Sequence, residues 1–180
     1  MFAAPLRGGF ALRLLEERHA KVLFQAVERE RERLRLWLPW VDATRTEEDT
    51  LSFIRSVLEQ FSENRGFAAG IWDGNRLAGT IGVHRIDWIN QRTEIGYWLG
   101  HEYEGRGIVT DACRAVITHL FGELDLHRVE IRCAVENTRS AAVPMRLGFT
   151  LEGVIREGQR VGDRYLDLKV FGMLRQDWNP

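Results

Sequence analysis

Tyr97-Trp-Leu-Gly-His-Glu-Tyr-Glu-Gly-Arg-Gly-Ile-Val-Thr-Asp-Ala-Cys113 joins an alternating apolar run, a turn carrying Gly105 and Gly107, and a helical pattern. Such an arrangement can hold an anion. The glycines remove Cβ atoms where the backbone must turn sharply, and Ile108, Val109, Ala112, Ala115, Val116 and Leu120 recur at helical spacing. The first amides of that helix, from Arg106 to Thr110, lack intrahelical acceptors and sit at the positive end of the helix dipole, so phosphate oxygens suit them. The common nucleotide fingerprints are not met, because no Gly-Lys-Ser/Thr follows the glycines and the three-glycine dinucleotide pattern is incomplete. Cys113 and Cys133 fall on a predicted helix and a predicted strand without metal-ligand spacing, which reads as buried free thiols and no metal.

Several elements must position that turn. Phe10 to Leu15 reads as a first strand, followed by a charge-laced helix from Glu16 to Arg35 in which His19 is a surface or capping side chain. The alternating signs of Glu28-Arg-Glu-Arg-Glu-Arg33 mark a solvated helix face rather than a nucleic-acid patch. Pro39 ends the helix and leaves Trp37 and Trp40 in a turn, where the rings are either core or the wall of a substrate groove. Thr46 caps a second helix, with Asp49 reaching back to it. From Gly66 the period becomes alternating: strands at Phe67–Trp72, Leu77–His84 and Arg92–Leu99 form an antiparallel meander that runs into the glycine turn. A strand at Arg128–Ala134, a short helix from about Thr138 to Leu147 capped by Asn137, and a hairpin around Val161-Gly-Asp-Arg complete the chain.

The 180 residues, 44% hydrophobic and 28% charged, fit one globular domain spanning residues 1–180. With a net charge of -1 there is no global field to attract nucleic acid or an anionic membrane. Neither a leader-like N-terminus nor a long apolar run is evident, so a cytoplasmic protein is expected.

Taken together, the strand into Tyr103-Glu-Gly-Arg-Gly-Ile-Val-Thr-Asp-Ala112, then Glu136-Asn-Thr-Arg-Ser140, then Arg146-Leu-Gly-Phe149, resembles the GNAT superfamily of acyl-CoA N-acyltransferases over nearly the whole chain. Trp37-Leu-Pro-Trp40, Ile95-Gly-Tyr-Trp-Leu99 and Asn137-x-x-Ser140 resemble the RimJ/RimL branch, whose named members acetylate the N-terminal amines of ribosomal proteins. The resemblance implies an α/β (α+β) GNAT fold: a mixed, mostly antiparallel sheet of about seven strands with splayed central strands, flanked by about four helices. It implies acetyl-CoA as co-substrate, its pyrophosphate on the turn and amides of Gly105, Arg106, Gly107, Ile108, Val109 and Thr110. The pantetheine would pair along Trp98, Leu99 and Gly100, an amide near Leu99 would polarise the thioester carbonyl, Asn137 would hold the arm and Ser140 would lie near the sulfur. Glu104 and Val109 depart from the superfamily pattern, which has Gln or Arg and Gly or Ala there, and the Glu104 side chain is expected to point outward.

Acetyl transfer needs a deprotonated amine, a held carbonyl and a proton for the departing thiolate. Ser140 is the expected donor, or else merely a cap of the short helix; many relatives use a tyrosine four residues later, a position that is Pro144 here and cannot donate a proton. Glu94 is the first choice as base; Glu130 and Glu136 read as cross-strand or surface charges, and His84 and His101 as strand-end polar residues. A compared relative carries a carboxylate where this chain has Gln159, which cannot take a proton. The expected activity is acetyl transfer to a primary amine, first the N-terminal α-amine of a ribosomal protein, with Trp37 and Trp40 lining the acceptor groove. A small amine such as an antibiotic or polyamine, or a non-catalytic acyl-CoA-binding module, are the alternatives, and a homodimer is possible.

Overall fold

A computed structural model describes residues 3–179. Eight strands form a sheet in the order β1-β2-β3-β4-β5-β6-β8-β7: β1 Ala3–Pro5, β2 Phe10–Leu14, β3 Phe67–Asp73, β4 Arg76–Val83, β5 Arg92–Leu99, β6 Arg128–Ala134, β7 Thr150–Val161 and β8 Arg164–Leu174. Neighbouring strands are antiparallel except for β5 and β6, whose parallel pairing runs through Arg92–Arg128, Thr93–Val129 and Glu94–Glu130. Beyond Glu94 the two strands part. The expected meander and final hairpin are present; β1 is the strand that the sequence did not suggest.

Four α-helices cover the sheet: α1 Ala20–Leu34, α2 Glu47–Ser62, α3 Ile108–Gly122 and α4 Thr138–Arg146. The first turn of the expected Glu16 helix is a 3₁₀ turn, in which the Glu16 amide donates to His19 Nδ1 at 3.0 Å, so His19 is a cap. The Thr46 cap is also formed, with Asp49 N–H donating to Thr46 Oγ1 at 3.2 Å and Thr46 N–H to Asp49 Oδ2 at 2.8 Å.

Pleat alternation divides the core into two layers. Leu23, Ala26, Val27 and Leu34 of α1 and Ile54 of α2 pack with Ala68, Trp72, Leu77 and Trp98 on one face. On the other, Ile108, Ala112, Val116 and Leu120 of α3 and Ala141 and Val143 of α4 pack with Ile81, Ile95, Leu99, Val129, Ile131 and Phe171.

Candidate active site

Backbone geometry builds the site first. The Glu94 carbonyl accepts from His84 N–H at 2.9 Å and Gly100 N–H donates to the Ala78 carbonyl at 2.7 Å, so even-numbered residues of β5 turn their peptide groups to β4. Alternation therefore aims those of Tyr97 and Leu99 into the fork. The Leu99 carbonyl there accepts from Arg33 Nη2 at 2.5 Å, while the amides of Tyr97 and Leu99 line the slot as donors.

The chain then passes through Gly105 and Gly107, both at φ +75°, a left-handed conformation in which a side chain would be strained. Gly107 caps α3, and the first helical bond is Asp111 N–H to the Gly107 carbonyl at 3.0 Å. The amides of Ile108, Val109 and Thr110 consequently precede any intrahelical acceptor, as an anion cradle requires. Arg106 steadies the turn by donating to the Glu102 carbonyl at 2.9 Å, and Arg146 of α4 reaches Thr110 Oγ1 at 3.2 Å.

Glu104 does not point outward. Its carboxylate is three-quarters covered and bound on one side by Arg33 of α1 and on the other by Arg139 of α4. Arg33 in turn bonds Glu30 at 2.8 Å, and Glu30 accepts from His101 N–H at 3.1 Å. The Glu104 carboxylate is thus neutralised by arginines that the local sequence does not reveal. Arg33 sits in the Glu28–Arg33 stretch, which reads as a solvated helix face, and Arg139 in the segment that follows Asn137.

On the α3 and α4 face, Asn137 Oδ1 accepts from Ser140 N–H at 3.1 Å, so Asn137 caps α4 and keeps its amide NH₂ as the group left for a ligand. Ser140 is therefore not the cap. Its hydroxyl lies 3.5 Å from the Tyr97 hydroxyl, with the Cys133 thiol in hydrogen-bond contact. Pro144 stays inside α4 and cannot donate to the Ser140 carbonyl; the Tyr97 hydroxyl does so instead, at 2.9 Å. This bond pins the start of α4 to the slot strand. Burial pushes the Tyr97 phenol and the Cys113 and Cys133 thiols above their ordinary ranges, so all three stay protonated at neutral pH.

The opposite face carries a chain of charges across the fork. Glu94 is 3.4 Å from Arg132 and 3.9 Å from His84 Nδ1. Glu130, 8% exposed, accepts from Arg132 at 2.8 Å and from Arg128 at 3.0 Å, and Arg128 also reaches Glu152. Burial alone would raise the Glu130 carboxyl, but the two guanidinium groups outweigh it and hold it below its usual range. Glu130 is the expected cross-strand charge, and His101, largely exposed, sits 3.7 Å from Glu104.

Trp37 packs on Ala134, Val161, Leu166 and Leu168, and its carbonyl accepts from Gln159 Nε2 at 2.6 Å. Trp40 is more exposed, at 38%. Arg31 holds the intervening loop by donating to the Val41 and Thr44 carbonyls. The loop after α1 thus leans on the β7–β8 hairpin over the charged face. The Trp98 ring, by contrast, belongs to the core against α1, so only its backbone belongs to the slot strand.

A family model for an acetyltransferase (GNAT) domain matches residues 10–150. A putative ribosomal N-acetyltransferase of Bacillus subtilis, YdaF, is 37% identical over 99% of this chain and 98% of its own length. The ribosomal-protein-serine acetyltransferase of Escherichia coli is 32% identical over 91% of both chains. Among solved structures, RimL, a ribosomal L7/L12 alpha-N-protein acetyltransferase in complex with coenzyme A, superimposes with a TM-score of 0.93 at 27% identity, covering 98% of this chain and 99% of the other.

Proposed function

The chain belongs to the GNAT acetyltransferase family, and from that premise we propose that it transfers the acetyl group of acetyl-CoA to the N-terminal α-amine of a ribosomal protein. One observation carries the reading: the β5–β6 fork, with its free Tyr97 and Leu99 amides, leads directly to the unsatisfied amides at the start of α3. A thioester can lie in the fork while its diphosphate rests on the helix terminus. In this reading Gly105 to Thr110 hold the diphosphate, the Tyr97 and Leu99 peptide groups face the pantetheine while those of Trp98 and Gly100 are turned to β4, and Asn137 offers its amide to the same arm. Relatives named for ribosomal-protein and alpha-N-protein acetylation support the acceptor class.

Each remaining group has a place in the step. The acceptor enters on the α1 and α2 face, between the Trp37–Trp40 loop and the charged strands, and attacks the thioester carbon. An amide of the slot strand stabilises the oxyanion. Ser140, on the far face, gives its proton to the departing sulfur, and Glu94 anchors the basic side. An α-amine, with an ordinary pKa of about 8 against roughly 10.4 for lysine, gives up its proton to a weaker base than a lysine side chain would need.

Incubating the protein with labelled acetyl-CoA and a bacterial extract, then mapping acetylated N-termini by mass spectrometry, tests the proposal. Label is expected on the N-terminal residue of ribosomal proteins; label confined to free small amines would overturn the acceptor assignment.

A further inference from the structure

Glu94 is engaged by Arg132, which leaves open the atom that takes the proton from the acceptor. The geometry points to His84 as the general base, with Glu94 as its positioning residue. This inference rests on the acetyl-transfer reading above and goes beyond it by assigning the proton acceptor.

His84 follows directly on β4, and its imidazole lies across Gly96 of β5. A Cβ on Gly96 would come within 2.9 Å of Nε2 and 3.2 Å of Cε1, so the ring occupies the space that any other residue would fill. Gly96 stands two positions beyond the Glu94–Glu130 pair, where β5 still pairs with β4 but no longer with β6. Its even parity places the ring on the α1 and α2 face, the side opposite Ser140 and the Tyr97 hydroxyl. Base and acid thus flank the fork from opposite faces, as attack on a thioester lying between them requires.

The tautomer follows from the neighbours. Nδ1 faces Glu94 at 3.9 Å, within reach of an ion pair once the ring is protonated, and Nε2 is the ring nitrogen that lies over Gly96 of the slot strand. Arg132 bonds the second oxygen of Glu94 at 3.4 Å, and the exposed Arg85 follows His84 in the chain. Arg65, in the turn whose Gly66 abuts the His84 carbonyl, is bound to Glu63. The main chain also fixes the ring's origin, since His84 N–H bonds the Glu94 carbonyl and the Thr93 hydroxyl donates to the His84 carbonyl at 2.9 Å. The side chain is 57% exposed, so an acceptor and solvent both reach it.

In the step, the amine nitrogen forms its bond to the acetyl carbon and loses a proton to His84 Nε2. The carbon–sulfur bond breaks, and the sulfur takes a proton from Ser140. Solvent then removes the proton from His84 and restores that of Ser140, so atoms and charges balance for amine plus thioester giving amide plus thiol.

The test uses the full chain, acetyl-CoA and a short peptide with an N-terminal serine. Turnover by the wild-type protein is measured first; its absence overturns the acetyl-transfer reading, and the base with it. With turnover present, His84→Ala is expected to lower kcat by about 10²-fold or more at neutral pH while acetyl-CoA affinity is kept. The deficit should narrow as pH rises and free amine accumulates, and added imidazole should restore part of the rate. Gly96→Ala, which displaces the ring without removing it, should lower kcat in the wild type and add nothing in the His84→Ala background. His84→Ala within about threefold of wild type, or a loss matched by weaker coenzyme binding, would overturn the assignment while leaving the function intact. Losses from the two variants that multiply would overturn it as well.

Discussion

At the scale of residues, Ser140 and Glu104 show what spacing can and cannot reveal. Ser140 lies three positions from Asn137, and that local relation made both legible; the cap settled which of them serves the helix. Ser140→Ala keeps the amide and carbonyl contacts of the helix start and removes only the hydroxyl. Turnover followed by thiol release should fall roughly 10²-fold while acetyl-CoA binding by calorimetry changes less than about twofold. Unchanged turnover would end the acid assignment. Glu104 was misread as outward because its partners lie 71 and 35 positions away, beyond any periodic signal. Its charge offsets two arginines beside the proposed anion cradle, so under that proposal Glu104→Gln frees them to act on the diphosphate. Acetyl-CoA is expected to bind roughly three- to fivefold more tightly at low ionic strength, about 1 kcal/mol, with the gain screened away as salt rises. Weaker binding would mean that the carboxylate serves to hold Arg139 in place.

Elements were legible where a period or a cap repeated. The meander, the glycine-turn helix and the closing hairpin follow from alternation, helical spacing and turn residues, and the sheet has the splay that the resemblance implied. β1 escaped because three residues ending in Pro5 are too few to show alternation. α4 posed the harder case, since a proline inside a short helix argues for a break. The helix persists because the Tyr97 hydroxyl replaces the missing amide donor at the Ser140 carbonyl, a substitution across 43 positions that no local pattern encodes. Tyr97→Phe leaves that carbonyl without its donor and should cost about 1–3 kcal/mol, or a few degrees of Tm. In a Pro144→Ala background the restored amide can serve the carbonyl, so the same substitution should cost less than about 1 kcal/mol. Equal costs in both backgrounds would show that Tyr97 acts through packing alone.

For the whole molecule, the weak point is the junction of β5 and β6, where three residue pairs join the N-terminal part of the sheet to β6, β8 and β7. Glu94, Arg132, Glu130, Arg128 and Glu152 run across that junction as alternating charges. Glu130 is the central link. Glu130→Gln removes its charge but leaves Arg132 with Glu94 and Arg128 with Glu152, so the loss should be on the order of 2 kcal/mol, below the ~3–5 kcal/mol of a fully orphaned buried pair. The sign of the pH dependence follows from the depressed Glu130 carboxyl. Its stabilisation is complete above the ordinary carboxylate range near 4.3 and is lost as pH falls through the lower folded value. Denaturant unfolding at pH 7 should therefore separate wild type from Glu130→Gln by that margin, and the separation should shrink steadily below about pH 4. A gap that stays constant to acid pH would show that Glu130 joins the two parts of the sheet by shape and hydrogen bonding, which Gln preserves only in part, and not by its charge.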